Sequence, residues 1–255
     1  MNKIRQYLDF CKKYGPWALV ADGSDGLGAA YSEALARRGF NLIIIAGDKK
    51  RLEDTAARIK EKYSVDVISA AADLGDFENI KKLITDLLSG ENRKIFIGLM
   101  VYNAAFAPIG LFENTSEEKL SLAVNVNVRT PLLLVKLLSD RMIQNKRGGI
   151  VLMSSIADVD AQESSKLVSY TAAAKAFNAI LAEGLRKELK PHGIDVIACC
   201  ADAILTPETS GDPDKVKLPC AMTAADVVEK IIKALGKKSV IAPGRVKYRI
   251  IPFLY

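Results

Sequence analysis

The chain has 255 residues, of which 49% are hydrophobic and 26% charged, and this composition argues against an intrinsically disordered protein. Its net charge of +6 is spread along the chain rather than gathered in one basic block, which argues against a nucleic-acid-binding protein. A single histidine and four cysteines without CxxC spacing argue against a metal site or a disulfide framework, and no apolar run approaches the length of a membrane span.

Apolar segments that are typical of buried strands alternate along the chain with amphipathic segments that are typical of helices. The first strand, PWALVADG, ends in a glycine-rich turn, and the second, NLIIIA, has the continuous apolar run of a strand covered on both faces. Further strands are predicted at 65–72, 95–102, 148–154, 194–200 and 239–242, and helices at 27–39, 51–63, 77–88, 116–144, 171–189 and 224–235.

This alternation predicts the fold class. Strands separated by helices require right-handed crossovers, so the sequence predicts an α/β protein with a doubly wound parallel sheet of the Rossmann type, in a single domain over residues 1–255. Asn125, Asn127 and Pro131 interrupt the helical pattern of 116–144, where we expect a kink. The first 13 residues are too polar for a signal peptide, so we expect a cytoplasmic protein without integral membrane association.

The glycine-rich turn DGSDGLG follows the first strand and opens the first helix. In that position a glycine turn lets the backbone approach a pyrophosphate at the helix N-terminus. The stretch resembles the TGxxxGxG opening of the short-chain dehydrogenase/reductase family, with Gly26 and Gly28 as its later glycines and with Asp22 and Gly23 at the start of the turn. This resemblance implies NAD or NADP as the cofactor.

Six further segments are similar to motifs of the same family, in the same order. The resemblance implies hydride transfer between a nicotinamide ring and a carbonyl or alcohol carbon. In that chemistry a tyrosine moves the proton, a lysine lowers the tyrosine pKa and holds the ribose, a serine orients the substrate oxygen, and an asparagine organises a relay water. By resemblance, the matching residues are Asp73 at the adenine, Asn103 in the NNAG segment, Asn125 as the helix asparagine, Ser155 or alternatively Ser154 as the serine, Lys175 as the lysine, and Thr206 at the nicotinamide amide.

The tyrosine of the YxxxK motif is displaced in this chain. In SYTAAAKAF, residues 169–177, Tyr170 is five positions before Lys175, and five helical positions turn two side chains about 140° apart. The residue four positions before Lys175 is Thr171, whose hydroxyl is a far weaker acid than a phenol. Either a helix bulge or a late helix start brings Tyr170 into line, or Tyr170 packs at the helix start and ordinary proton transfer fails.

The glycine turn also departs from the family pattern. Asp22 stands at the first family glycine, and a carboxylate there repels a pyrophosphate by about 1–4 kcal/mol per charge pair at ~4 Å. Alternatively, Gly23 takes over the turn and Asp22 caps the helix, pointing away from the cofactor. A third possibility is that the carboxylate of Asp22 or Asp25 occupies the anion site in place of a phosphate.

Other departures lie where the family contacts its cofactor. Asp202 stands at the glycine of a Pro-Gly pair, and Tyr102 and Ala105 replace the first asparagine and the glycine of the NNAG segment. A basic run at 49–51 favours a 2′-phosphate whereas Asp48 opposes it, so the sequence does not distinguish NAD from NADP.

Two functions remain open from the sequence. The departures favour a pseudoenzyme, a non-catalytic subunit of a homo- or hetero-oligomer beside an active homologue, with cofactor binding lost. The alternative is an active NAD(P)-dependent oxidoreductase that acts on a ketone, hydroxyacyl or steroid-like small molecule through Tyr170, Ser155, Lys175 and Asn125. A weaker third possibility is binding of a nucleotide or acyl thioester without turnover. The family resemblance implies pairing of subunits through the two long helices.

Overall fold

The computed structural model describes residues 3–89, 95–108, 111–155, 169–201, 204–205 and 222–243. For residues 3, 155, 169–172, 201 and 204–205 the backbone alone is described. The strands are β1 (Trp17–Ala21), β2 (Asn41–Ala46), β3 (Val67–Ala71), β4 (Ile97–Tyr102), β5 (Gly148–Ser155), β6 (Ile194–Ala201), β7 (Ile204–Leu205), β8 (Met222–Thr223) and β9 (Val240–Ile241).

Seven of the described strands form one parallel sheet, in the order β3-β2-β1-β4-β5-β6-β9, and β7 pairs with β8 separately. The predicted doubly wound parallel sheet is confirmed. Residues on alternate faces of β2 belong to two buried clusters, Leu42 and Ile44 in one, Ile43 and Ile45 in the other. This two-sided burial explains the continuous apolar run of the strand, because helices cover both faces of the sheet.

The described helices match the predicted ones, with one addition. The helix α1, before the first strand, was not predicted. Its Phe10 ring packs against Tyr14 and Phe40, at ring-centroid distances of 4.8 and 5.8 Å. The helices are α1 (Lys3–Tyr14), α2 (Gly26–Ala36), α3 (Lys49–Tyr63), α4 (Phe77–Ser89), α5 (Glu117–Val124), α6 (Thr130–Gln144), α7 (Ser169–Leu189) and α8 (Ala224–Ala234), with 3₁₀ turns at Phe112–Asn114 and Lys190–His192.

The long helix predicted at 116–144 is interrupted in the structure. A π-helical turn at Asn125–Arg129 separates α5 from α6, and Pro131 lies in the first turn of α6. The helix is therefore interrupted at the expected residues, by a π turn. By length and composition alone, Glu117–Gln144 is apolar enough to cross a membrane, and 39% of its most apolar window is buried inside the protein.

The sheet order places a crevice beside the glycine turn. β1 lies between β2 and β4, and the strand order reverses direction between β1 and β4. Ala21 pairs with Tyr102 at the carboxyl ends of these two strands. In doubly wound sheets, ligands bind at this switch point, outside the carboxyl ends of the strands. Asp22 and Asn103, the next residue of each strand, therefore meet where a ligand is expected.

Candidate functional site

Asp22 itself makes the tight turn after β1. Its φ of 62° lies in the left-handed region, which glycine favours and aspartate tolerates better than most residues. The alternative in which Gly23 takes over the turn and Asp22 caps the helix is therefore wrong. A Cβ at Gly28 would lie 1.8 Å from the Asp22 carbonyl oxygen, so the start of α2 packs directly on this turn. Glycine is needed at position 28 for this close approach.

The residue that caps α2 is Asp25. Its carboxylate accepts a hydrogen bond of 2.7 Å from the backbone N–H of Gly26, whose φ is 50°. The Arg51 guanidinium pairs with the same carboxylate and lies 3.4 Å from Asp48. A protein carboxylate thus takes a backbone donor at the helix N-terminus where an anion is favoured. Between Asp22 and Asp25, the structure identifies Asp25 as the capping group, with its charge balanced by Arg51.

The Asp22 carboxylate is held at the switch point by Asn103. The Asn103 amide donates to the Asp22 carbonyl oxygen at 3.2 Å and to its carboxylate Oδ2 at 3.1 Å. Burial raises the pKa of Asp22, and the Asn103 hydrogen bond and the Lys175 charge oppose that shift while the charge of Asp25 adds to it. Burial therefore destabilises the charged form of this carboxylate. Asp22 stands at the position of the first glycine of the family's turn, where a glycine has no side chain.

Lys175 lies on α7 and is 7% exposed. Burial lowers the pKa of its ammonium group to about 8, against an upward effect of Asp22. The Ser154 hydroxyl donates to the Lys175 backbone carbonyl at 2.6 Å, so this serine is engaged in holding α7 against β5. That contact favours Ser155 as the site serine, although the side chain of Ser155 lies outside the described residues.

The displaced tyrosine lies on a regular helix. α7 is α-helical from Ser169 to Leu189, so its described backbone contains neither the bulge nor the late start that would bring Tyr170 into line with Lys175. A regular helix instead puts position 171 on the Lys175 side. The side chains of Tyr170 and Thr171 lie outside the described residues.

Asn127 is a residue that the sequence analysis did not assign to the site. Its fully buried side chain donates to the Phe106 carbonyl at 2.7 Å and accepts from the Phe106 N–H at 3.1 Å, which ties the π turn to the loop after β4. Asn125, the predicted helix asparagine, is only partly buried and accepts the Thr130 N–H through its backbone carbonyl. Of the two asparagines, Asn127 is therefore the one whose side chain points into the protein. The π turn decides which asparagine faces inward, and the sequence pattern alone does not.

Asp73 and Tyr102 flank the same crevice. Asp73 is exposed and accepts a hydrogen bond of 2.8 Å from the Gly75 N–H. Tyr102 is buried, and its hydroxyl donates to the Val126 carbonyl at 2.6 Å. Burial, with the charges of Asp22 and Asp73, raises the Tyr102 pKa, so this phenol is a poor replacement for the displaced catalytic tyrosine. Thr206 and Asp202 lie outside the described residues.

The two ends of the expected dinucleotide site differ among the described residues. At the adenine end, Asp73 is exposed, and the charge of Arg51 is paired with Asp25 and Asp48. At the pyrophosphate end, the partly buried Asp22 carboxylate stands at the turn that should cradle an anion. The site therefore does not fit an anionic cofactor while Asp22 is ionised. Within the described ranges, no group of three or more histidine, cysteine or acidic side chains is arranged to hold a metal ion.

Comparison with known families identifies the chain's relatives. The model of the family described as short chain dehydrogenase matches residues 16–216. The protein named inactive hydroxysteroid dehydrogenase-like protein 1 of Homo sapiens is 34% identical over 155 residues, which cover 60% of this chain and 46% of that protein. The chain thus spans about half the length of this relative.

Proteins named for an activity are also similar. The 7beta-hydroxysteroid dehydrogenase of Mediterraneibacter gnavus is 27% identical over 240 residues, which cover 91% of this chain and 88% of that protein. The structure of a short-chain dehydrogenase from Sphingobium yanoikuyae in complex with NADPH has a TM-score of 0.78 and 29% identity, and the match covers 91% of this chain and 89% of that one. Relatives named as active and as inactive are therefore both similar to this chain.

Proposed function

Because the chain belongs to the short-chain dehydrogenase family, we propose that it is a member which does not catalyse hydride transfer by itself and acts as a non-catalytic subunit beside an active homologue. The observation that carries the proposal is the Asp22 carboxylate, fixed by Asn103 at the turn where the cofactor pyrophosphate is expected. Thr171, four positions before Lys175 on a regular helix, supports it.

The electrostatic cost is large enough to decide cofactor binding. A carboxylate at ~4 Å from one pyrophosphate charge is repelled by about 1–4 kcal/mol. Each 1.4 kcal/mol weakens binding about tenfold, so Asp22 lowers cofactor affinity by roughly one to three powers of ten. Protonation of Asp22 would remove the repulsion, and its raised pKa brings that neutral form closer to physiological pH.

The subunit role is supported by the outer sides of the helices that the family uses for pairing. Val124, Leu132 and Ile180 are exposed at 50%, 39% and 48% on α5, α6 and α7, although each is a large apolar residue. Burial of such residues against another subunit would be favourable. We propose a homo- or hetero-oligomer through these helices, in the cytoplasm, with residues 1–255 forming one domain.

An active NAD(P)-dependent oxidoreductase is the second candidate, and Lys175 favours it. Lys175 is buried on α7, and with a pKa of about 8 its ammonium group is largely protonated at neutral pH, which is the form that lowers a tyrosine pKa and holds the ribose. In that case we propose Asn127 rather than Asn125 as the site asparagine, and a ketone, hydroxyacyl or steroid-like substrate. The likeness to the M. gnavus enzyme supports this substrate class.

Calorimetric titration with NADH and NADPH tests the proposal. We expect the wild-type protein to bind both cofactors weakly, and Asp22→Gly to bind them about 10–1000-fold more tightly. Asp86→Asn removes one negative charge from an exposed position of α4 and is the matched control, with unchanged affinity expected. Tight wild-type binding at unit stoichiometry would contradict the proposal and favour the active oxidoreductase.

Turnover requires a second change beyond cofactor binding. We expect reduction of a test ketone by NADPH only when Thr171→Tyr is combined with Asp22→Gly, because the first change restores a phenol four positions before Lys175. Ketone reduction by the wild-type protein would overturn the non-catalytic role.

Size-exclusion chromatography tests the subunit role, with the chain co-expressed with a family member that has an intact YxxxK motif. Elution of the two proteins in separate peaks would argue against this role.

A further inference from the structure

The π turn between α5 and α6 deprives two backbone carbonyls of the N–H donor that a regular helix would give them. In a regular helix the Val126 carbonyl would accept from the N–H of Thr130, but that N–H bonds to the Asn125 carbonyl instead. The Asn127 carbonyl would accept from residue 131, which is a proline and has no N–H. A buried carbonyl without a partner is costly, so both need donors from elsewhere.

Two buried side chains from different elements supply these donors. The Tyr102 hydroxyl, at the end of β4, donates to the Val126 carbonyl at 2.6 Å. The Asn178 amide, on α7, donates to the Asn127 carbonyl at 3.0 Å. Tyr102 and Asn178 are each 1% exposed. The π turn is therefore joined on one side to the sheet and on the other to α7.

Each donor is close along the chain to a residue of the candidate site. Asn178 is three positions after Lys175 on α7, which puts the two residues on neighbouring positions of one helix face. Tyr102 immediately precedes Asn103, which binds Asp22, and its own pKa is affected by the Asp22 charge. The Asn178 Oδ1 is buried without a hydrogen-bond partner among the described residues, so the Asn178 amide is joined to the π turn through its donor group.

We propose that Tyr102 and Asn178 are positioning residues which hold the Lys175 face of α7 against the π turn and keep water away from the lysine ammonium group. The hydroxyl and the amide take the places that water would otherwise fill at the two released carbonyls. Removal of either donor leaves a buried carbonyl that recruits water, and the water then solvates Lys175. This inference concerns how the fold holds Lys175 and applies whether or not a dinucleotide binds.

Titration of Lys175 by NMR in the full chain, with lysine labelled at Cε and Nζ, tests the inference. The Lys175 signal is assigned by its loss in Lys175→Met. We expect Tyr102→Phe to raise the lysine's titration midpoint by ~1 pH unit, toward the ordinary value for lysine. Tyr31→Phe is the matched control, because Tyr31 is equally buried but its hydroxyl meets the Met153 sulfur at 3.6 Å rather than a released carbonyl.

A second pair of variants tests the α7 side of the contact. Asn178→Leu keeps a similar volume but removes the donor, and we expect the same upward shift of the Lys175 midpoint together with faster hydrogen exchange of the Thr130 amide. Asn178→Gln keeps an amide donor and should bring the midpoint back toward the wild-type value. A Lys175 midpoint that stays at its wild-type value in both Tyr102→Phe and Asn178→Leu would overturn the proposal.

Discussion

Two aspartates at opposite ends of the sheet, the buried Asp195 and the partly buried Asp22, have carboxylates in very different surroundings. Asp195, near the start of β6, accepts from the Tyr14 hydroxyl at 2.7 Å and pairs with Lys13 and Lys190 at 2.6 Å each. Burial alone would raise its pKa, but the hydrogen bonds from Lys13, Lys190 and Tyr14 outweigh burial and hold the pKa at about 2. Asp195 therefore stabilises the folded protein as an anion.

Asp22 stands at the other end, after β1, under the opposite balance. Its described hydrogen bond comes from the neutral Asn103 amide, and burial raises its pKa. Its surroundings disfavour the charged carboxylate, and its left-handed backbone conformation is unfavourable for a residue other than glycine. A contribution to folding stability therefore does not explain an aspartate at this position. The amino-terminal edge of the sheet thus stabilises the charge of its aspartate, whereas the carboxyl-terminal edge, where the candidate site lies, does not.

Breaking the Asp195 cluster should have the largest effect. Asp195→Asn leaves two ammonium groups without their carboxylate, and we expect the free energy of unfolding at pH 7 to fall by about 3 kcal/mol. Chemical denaturation measures this loss. Asp140→Asn, which breaks the exposed Lys136–Asp140 pair of α6, is the control and should cost less than about 1 kcal/mol. Equal losses in the two variants would contradict the contrast.

Lys175→Met should have an intermediate effect of opposite sign. The Lys175 pKa is about 8 in the folded protein and has its ordinary value of 10.5 in the unfolded chain, so the unfolded chain binds more protons between these pH values. The wild-type free energy of unfolding should therefore gain a contribution as pH rises from about 8 to 10.5. At pH 7 the wild type bears the cost of burying a charged lysine, which a methionine does not. We therefore expect Lys175→Met to be more stable than wild type at pH 7, by about 2 kcal/mol, and to lack the rise in stability between pH 8 and 10.5.

Denaturation curves at several pH values measure this difference. Lys233→Met, at an exposed position of α8, is the control and should follow the wild-type pH dependence. A wild-type profile without any rise above pH 8 would show that Lys175 is hydrated in the folded protein.

Asp22→Asn should have the smallest effect and should sharpen the comparison through its pH dependence. The Asp22 pKa is raised in the folded protein, so its unfavourable contribution is present at neutral pH, is lost as pH falls through the raised pKa, and is absent below the ordinary value of 3.8. We expect Asn to stabilise the protein by less than about 1 kcal/mol at pH 7 and by nothing at acid pH. Stabilisation that grows on acidification would contradict this assignment.

The fold was readable from the sequence because burial on two faces leaves a strong pattern. β2 was predicted with its observed bounds, since every residue from Leu42 to Ala46 is apolar and buried. α1 was missed because its inward side, apart from the buried Tyr14, is formed by only a few partly buried residues, among them Phe10 and Cys11, within a polar segment.

The site was less readable because its details depend on single backbone conformations. Asp22 adopts the left-handed region itself and leaves the cap to Asp25, a choice between two nearby aspartates that no periodicity decides. The π turn selects Asn127 over Asn125 for the contact with Phe106 in the same way. The displacement of Tyr170 was visible from spacing alone, because a regular helix fixes the angle between two positions.

The bond between Tyr14 and Asp195 has a consequence for synthesis of the protein, because it joins residues that are 181 positions apart. A ribosome that adds about 5–20 residues per second delivers Asp195 roughly 10–40 s after Tyr14. During that interval the nascent α1 lacks the strand on which its last tyrosine docks. The Tyr14 hydroxyl therefore gains its carboxylate only after β6 has emerged, whereas the contact of Phe10, in the same helix, with Phe40 joins residues that are synthesised close together.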